Sequence, residues 1–348
     1  MRLPLISIVI PTYRTTYIKD LLQYIVTMRG FDDKIEVIVV ENPSKTDKTA
    51  EIIQMFSGNN IKHLESAAGA NCARNTGIAA AQSDKIALLD DDCFPEPEWL
   101  QALLGGYALY PRCNVFGGAV VHRYLSPKPR WFVGYLRDLV GWLYWDEHTV
   151  DVSWRVSPVD CGVLSANLSF LKSSWERVGG FEEYLGQQNG HRPEESCADE
   201  ISFINKCGLL PNNHHITKMY LGKMFVWHQI SIERMTIEYL MKKAYGHGKG
   251  SVETILNTKR YDDDFIEDII TTHLLPQYLS ILNHQDLHTA RMQIAHEEST
   301  RIFIKNAILC RNAYHMGFLD AIRKSGRKSY EDGYHSKEMF FMGEKYDY

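Results

Sequence analysis

Three consecutive aspartates, Asp90, Asp91 and Asp92, follow the short apolar run Ile86–Leu89. Carboxylates crowded together in this way can hold magnesium or manganese, hard cations that prefer oxygen ligands, and such a cation can in turn hold phosphate oxygens. Three adjacent acids after an apolar run also suit a solvated loop. A second acidic group, Glu194, Glu195, Asp199 and Glu200, lies further along the chain. A carboxylate placed across a cleft can take a proton from a hydroxyl, although acids at a helix start also simply complement the helix dipole. His228, in Val226-Trp227-His228, offers an imidazole that is a competent metal ligand when neutral; an isolated histidine is more often structural. His214-His215 is read as a surface loop, because adjacent side chains point apart in a strand or a helix. The basic, glycine-rich run Lys242–Gly250 can either fold over a diphosphate or form a flexible turn, and it lacks the Gly-Lys-Ser order of a Walker loop.

Several elements must bring these groups together. Leu5–Ile10, Ile35–Val40 and Ile86–Leu89 are continuous apolar runs, and strands buried on both faces have this character. Between them Tyr17–Met28, Thr46–Phe56 and Asn71–Ala81 place apolar residues at helical spacing. The alternation predicts an α/β fold with a mostly parallel sheet and helices as crossovers. Ligands of such sheets bind beyond the carboxyl ends of the strands, so Pro11–Arg14, Glu41–Ser44 and Asp90–Asp92 are expected to converge on one crevice. A helix is expected over Pro95–Tyr110 and a strand over Gly117–Tyr124, followed by an aromatic-rich loop, Leu125–Asp151, that either stacks on sugar rings or covers the core. Helical patterns return over Met235–Tyr245, Phe265–Leu282 and Leu287–Ala313, with a shorter run through Ile322.

With 348 residues, 45% of them hydrophobic and 23% charged, the chain has material for a large core and an appended region. A net charge of −5 supplies no basic field for nucleic acid. The seven cysteines are scattered without a C-x-x-C pair, which suggests neither a zinc site nor a disulfide framework. The N-terminus runs straight into the first strand pattern, and no apolar run reaches transmembrane length. The expected location is the cytoplasm, or the periphery of the membrane's inner face.

An ordered set of motifs resembles the inverting, nucleotide-sugar-dependent glycosyltransferases of family 2, which have the GT-A fold. The set comprises Ile6–Tyr13, Val39–Asp47, Gly69–Gly77, Ile86–Asp92 with Pro97-Glu98-Trp99-Leu100, Ser165–Phe170, Val178–Glu183 and Val226–His228, and it covers roughly residues 5–250. Two departures stand out: Glu41 occupies the place of the usual aspartate, and Ala198-Asp199-Glu200 replaces an adjacent Glu-Asp pair.

The resemblance implies a GT-A catalytic domain over residues 1–229, divided at about residue 94 into a nucleotide-binding half and a donor-sugar and acceptor half. Residues 230–348 are left as a helical C-terminal region that packs on the domain, forms a homodimer or approaches a membrane. Pro11, Tyr13, Arg14, Glu41, Arg74, Asp90, Asp91 and Asn167 are then expected to hold the nucleotide sugar, with Asp92 and His228 as metal ligands. Asp199 is the expected catalytic base and Glu200 its rival. The implied reaction is metal-assisted transfer of one sugar, with inversion, from a nucleoside-diphosphate sugar, foremost a UDP-sugar, to a carbohydrate, glycoside or lipid-linked acceptor. Magnesium or manganese is the expected ion. A noncatalytic glycan-binding scaffold is an alternative kept open by the altered Ala198–Glu200. A sugar-phosphate nucleotidyltransferase is disfavoured because Pro11–Arg14 contains no glycine.

Overall fold

Every residue of Ile6–Thr12 (β1) and Ile35–Glu41 (β2) is buried in the computed structural model, which describes residues 4–13, 16–43, 48–144, 152–155, 162–186, 192, 194–195, 197–208, 217–256 and 297–324. The two strands run parallel, from Ile6 opposite Ile35 to Thr12 opposite Glu41. Ile61–Glu65 (β3) extends the sheet beyond β2, and Lys85–Leu89 (β4) extends it beyond β1. Parallel neighbours need crossovers, supplied by Ile18–Thr27 (α1), Thr49–Gln54 (α2) and Ala70–Ala80 (α3). These strands end at one edge, which brings Thr12, Glu41 and Asp90 out together. The β3 segment, Ile-Lys-His-Leu-Glu, is only half buried and mixes polar with apolar residues, which is why its pattern does not announce a strand.

The second half contributes Cys93–Pro95 (β5), Trp99–Leu109 (α4), Val115–Gly117 (β6), Val120–Tyr124 (β7), Tyr135–Asp138 (α5), Val152–Arg155 (β8), Asn167–Leu171 (β9), Lys172–Val178 (α6), Asp199–Gly208 (α7), Thr217–Tyr220 (β10) and Val226–Ile230 (β11). The large sheet has the order β3-β2-β1-β4-β9-β6-β10-β8, and a small one the order β5-β11-β7. In the small sheet β11 runs antiparallel to β5 with His228 opposite Cys93. That register sets His228 beside the last of the three aspartates.

Three expectations change. Gly117–Tyr124 is not one strand: the chain leaves the large sheet after Gly117 and enters the small one at Val120. A side chain at Gly118 would lie 1.8 Å from the Met224 carbonyl, so only glycine permits that passage. The helix expected from Pro95 starts at Trp99, because Cys93–Pro95 is taken up by pairing with β11. Lys242–Gly250 is neither a turn nor a diphosphate loop but part of a helix, Ile237–Leu256 (α8). Its glycines allow close helix packing: a Cβ on Gly248 would meet the Tyr314 carbonyl at 2.1 Å, and one on Gly317 the Tyr245 carbonyl at 2.0 Å.

Tyr314 and Gly317 belong to Glu297–Lys324 (α9), which packs along α8. Phe132, Leu136, Leu139 and Val140 are buried in one cluster with Leu240, Phe303, Cys310 and Phe318. Within residues 125–144 the aromatic-rich loop therefore covers core, joining the C-terminal helices to the rest of the molecule. The expected helix over Phe265–Leu282 and the pair His214-His215 lie outside the described residues. No helix among the described residues is long and apolar enough to cross a membrane, and the described cysteines are free thiols.

Candidate active site

Arg74 stands on the second turn of α3, a helix entered through Gly69 at a φ of 125°. Its guanidinium takes four partners. Nη1 donates to Asn71 Oδ1 at 2.8 Å and to Asp199 Oδ2 at 2.5 Å, while Nη2 donates to Asp90 Oδ1 at 3.1 Å and Ser165 Oγ at 3.2 Å. Asn71 and Arg74 are three residues apart and therefore share a helix face; Asp90 follows β4, and Asp199 opens α7. A planar cation with donors in fixed directions suits this role, binding several oxygens at once. Burial opposes the Arg74 charge, but Asp199 and Asp90 outweigh it and keep the group charged. The same helix anchors the Gly-Gly-Phe-Glu-Glu segment: Asn75 Nδ2 donates to the Phe181 carbonyl, and Asn71 Nδ2 to the carbonyls of Glu182 and Leu185.

Asp199 is held at a strained corner. Ala198 has a φ of 91°, a backbone region that side chains disfavour by about 1–3 kcal/mol unless the surroundings enforce it. Helix α8 provides the enforcement. Cys197 N–H donates to the Gly246 carbonyl at 3.2 Å, and Thr254 Oγ1 to the Ala198 carbonyl at 3.4 Å. A Cβ on Gly250 would lie 1.6 Å from the Cys197 carbonyl. Glu200, next to Asp199, is pushed up to about 8 by burial and then by the Asp199 charge and their mutual hydrogen bond. Glu200 is therefore mostly a neutral acid near pH 7.

The other aspartates face a different cation. Asp91 Oδ2 accepts from Thr12 Oγ1 at 2.7 Å, and burial with the neighbouring Asp92 charge raises it to about 7. Asp92 Oδ2 lies 3.5 Å from His228 Nε2, and Arg234 spans the pair: Nη2 donates to Asp92 Oδ2 at 2.9 Å and Nη1 to His228 Nε2 at 2.7 Å. Arg234 sits in a 3₁₀ turn, Ile232–Met235, directly after β11. Asp92, Cys93 and His228 also bring one ligand atom each within 4.8 Å of one another, so oxygen, nitrogen and sulfur donors converge on the place where Arg234 reaches. Among the described residues, buried His228 Nδ1 has no hydrogen-bond partner. The donor set fits a divalent cation held by Asp92 and His228. An open cleft of about 410 Å³ is lined by Tyr17, Phe94 and Gln229 among others.

The remaining expected residues divide. Pro11 and Tyr13 lie at the carboxyl end of β1, Tyr13 exposed, and Arg14 falls outside the described residues. Glu41 closes β2 and is buried, with Oε2 at 3.0 Å from His63 Nε2. Asn167, expected on the donor side, braces the core. It is fully buried, its Oδ1 accepts from Trp99 Nε1 at 2.8 Å, and its Nδ2 donates to the carbonyls of Ala119 and Met224. Arg234, Thr12 and His63 were not singled out by their sequence context, because one arginine, threonine or histidine in a polar stretch carries no spacing signal.

Against this geometry, the sequence model described as Glycosyl transferase family 2 matches residues 7–166. Over these residues the chain is similar to glycosyltransferase family 2. Glycosyltransferase AglE of Haloferax volcanii is 34% identical over 140 residues, which are 36% of this chain and 45% of that protein. The chain thus spans less than half the length of that relative. The glucosyl-dolichyl phosphate glucuronosyltransferase of the same organism is 22% identical over 233 residues, 65% of this chain and 70% of the relative. Among solved structures, the mannosyltransferase PcManGT of Pyrobaculum calidifontis, in complex with GDP-Man and Mn2+, superposes with a TM-score of 0.58 at 17% identity, covering 91% of this chain and 88% of the other. The fold is of the GT-A type.

Proposed function

We propose that the chain transfers one sugar, with inversion, from a nucleoside-diphosphate sugar to an acceptor hydroxyl, with residues 1–229 as the catalytic unit. The carrying observation is the Arg74 network, which ties Asp90 at the end of β4 to Asp199 at the start of α7 through one guanidinium. A residue suited to contact the nucleotide and a residue suited to act as base are thereby set at a fixed spacing on one edge of the sheet. Relatives named as glycosyltransferases and a neighbour solved with GDP-Man and Mn2+ support the same reading.

Asp199 carries the base role. Its carboxylate, held by Arg74, is the group placed to accept the acceptor's proton, whereas Glu200 is pushed up to about 8 and keeps its own. As the proton moves to Asp199, the acceptor oxygen forms its bond to the anomeric carbon and the bond from that carbon to the donor phosphate breaks. Asp90, Glu41 and the end of β1 line the nucleotide side. Asp92 and His228 would hold magnesium or manganese, which when bound neutralises charge on the departing diphosphate. Asp91, tied to Thr12, anchors the loop that carries Asp92.

Thermal-shift titration with UDP, GDP and ADP, each with and without Mn2+, tests this reading. A ligand at a hundred times its dissociation constant stabilises the fold by about 2.7 kcal/mol, so one diphosphate should raise the melting temperature, and more so with Mn2+. No shift with any nucleotide would count against the assignment. NMR of the product's anomeric signal decides inversion, and a retained configuration would exclude the single displacement.

A further inference from the structure

Arg234 occupies the space between the two groups best placed to hold a metal. We propose that Arg234 is a resident counter-cation of the Asp92–His228 pair which a divalent metal must displace, so that metal binding is coupled to release of this side chain. The inference rests on the metal-assisted reading above and concerns a residue which that reading does not use.

A guanidinium has donors only, so its contact with His228 requires a lone pair on Nε2, and the ring proton must sit on the buried Nδ1. This is the tautomer a metal at Nε2 also needs. Asp92 Oδ2 serves Arg234 in the same way. The two atoms lie 3.5 Å apart. A cation bound to both at ligand distance would fill the volume into which the fork projects, and its double charge would repel the guanidinium at close range. The two cations are therefore exclusive, while the carboxylate and imidazole need no rearrangement between them. Without metal, the Arg234 guanidinium balances the charge of the Asp92 carboxylate through a direct ion pair at 2.9 Å. The apparent metal affinity is then lowered by the fraction of molecules in which Arg234 is in place. Arg234 can move without disturbing the sheet, because it stands in a short 3₁₀ turn beyond the end of β11.

Electron paramagnetic resonance of free Mn2+ titrated with the full chain measures this without reference to activity. Arg234→Gln should bind Mn2+ at least about tenfold more tightly than the wild type, equivalent to about 1.4 kcal/mol, and Arg234→Lys should fall between them. Asp92→Asn placed on Arg234→Gln should abolish the gain. Should Arg234→Gln fail to fold, the wild type still decides: saturating Mg2+ should shift the side-chain Nε–H signal of Arg234, assigned by its loss in Arg234→Lys. Equal or weaker Mn2+ binding by Arg234→Gln, with wild-type binding still lost in Asp92→Asn, overturns the competition and leaves the metal reading intact. An Nε–H signal unmoved by Mg2+ overturns it as well. Absence of Mn2+ binding by wild type and Arg234→Gln alike, with or without a nucleoside diphosphate, overturns both.

Discussion

Arg74, buried, and Arg234, half-buried, stand at two ends of one site, and they sit in unlike surroundings. Arg74 is joined to groups from four stretches of chain, Asn71, Asp90, Ser165 and Asp199, and most of its work is to fix distances between them. Arg234 is joined to Asp92 and His228, the residues whose chemistry best suits a metal. Removing one partner of a buried pair costs more than the pair contributes, because the other charge is left uncompensated. At Arg74 no other cation among the described residues takes its place; at Arg234 a divalent ion can. One arginine reads as framework and the other as an exchangeable occupant.

The most severe way to break the Arg74 end is Asp199→Asn. Turnover should fall by about 10²–10⁴-fold, the range for loss of a general base, with nucleotide binding retained in the thermal-shift assay. Retained turnover would move the base role to Glu200. Next, Arg74→Met should destabilise the fold by about 3–5 kcal/mol in urea denaturation, a loss that added Mn2+ does not restore. Recovery with Mn2+ would erase the distinction between the two arginines.

Gly250→Ala probes the support behind Asp199. The new methyl would lie 1.6 Å from the Cys197 carbonyl, so α8 or the Cys197–Asp199 corner must shift, with an overpacking cost of about 1–3 kcal/mol. We expect kcat to fall while donor KM is unchanged; a parallel change in both would point to general loosening. The last effect is a pH slope. Folded Glu200 keeps its proton to about pH 8, against an ordinary value of 4.5. Its contribution to stability is thus complete below about pH 4.5 and is lost as pH rises through about 8. Glu200→Gln cannot ionise and should flatten that part of the urea midpoint against pH.

Much of the framework was legible because it rests on local signals. Continuous β-branched runs marked β1 and β2, and the apolar run before Asp90 marked β4. Where a strand was short and half polar, as at β3, or where a glycine passage switched sheets, as at Gly117-Gly118, local pattern was insufficient. The glycines of Lys242–Gly250 misled for a related reason. In isolation they suggest a turn, and only the close approach of α9 and of the Cys197 carbonyl shows that they clear space for backbone.

By itself the sequence determined the parallel α/β plan, the position of Asp90–Asp92 at a strand's carboxyl end, and the acids of 199–200 as candidates for proton transfer. These follow from residue periods and from the chemistry of side chains taken singly. Tertiary structure alone decided that Arg74 binds Asp90 and Asp199 together, that Asn167 braces the core, that α8 enforces the Ala198 corner, and that Arg234 spans Asp92 and His228. Each of these is a contact between residues far apart in the chain or from different elements. Such contacts are set by strand register and helix packing, as when pairing His228 opposite Cys93 carries the imidazole to Asp92, and no spacing along the chain encodes them.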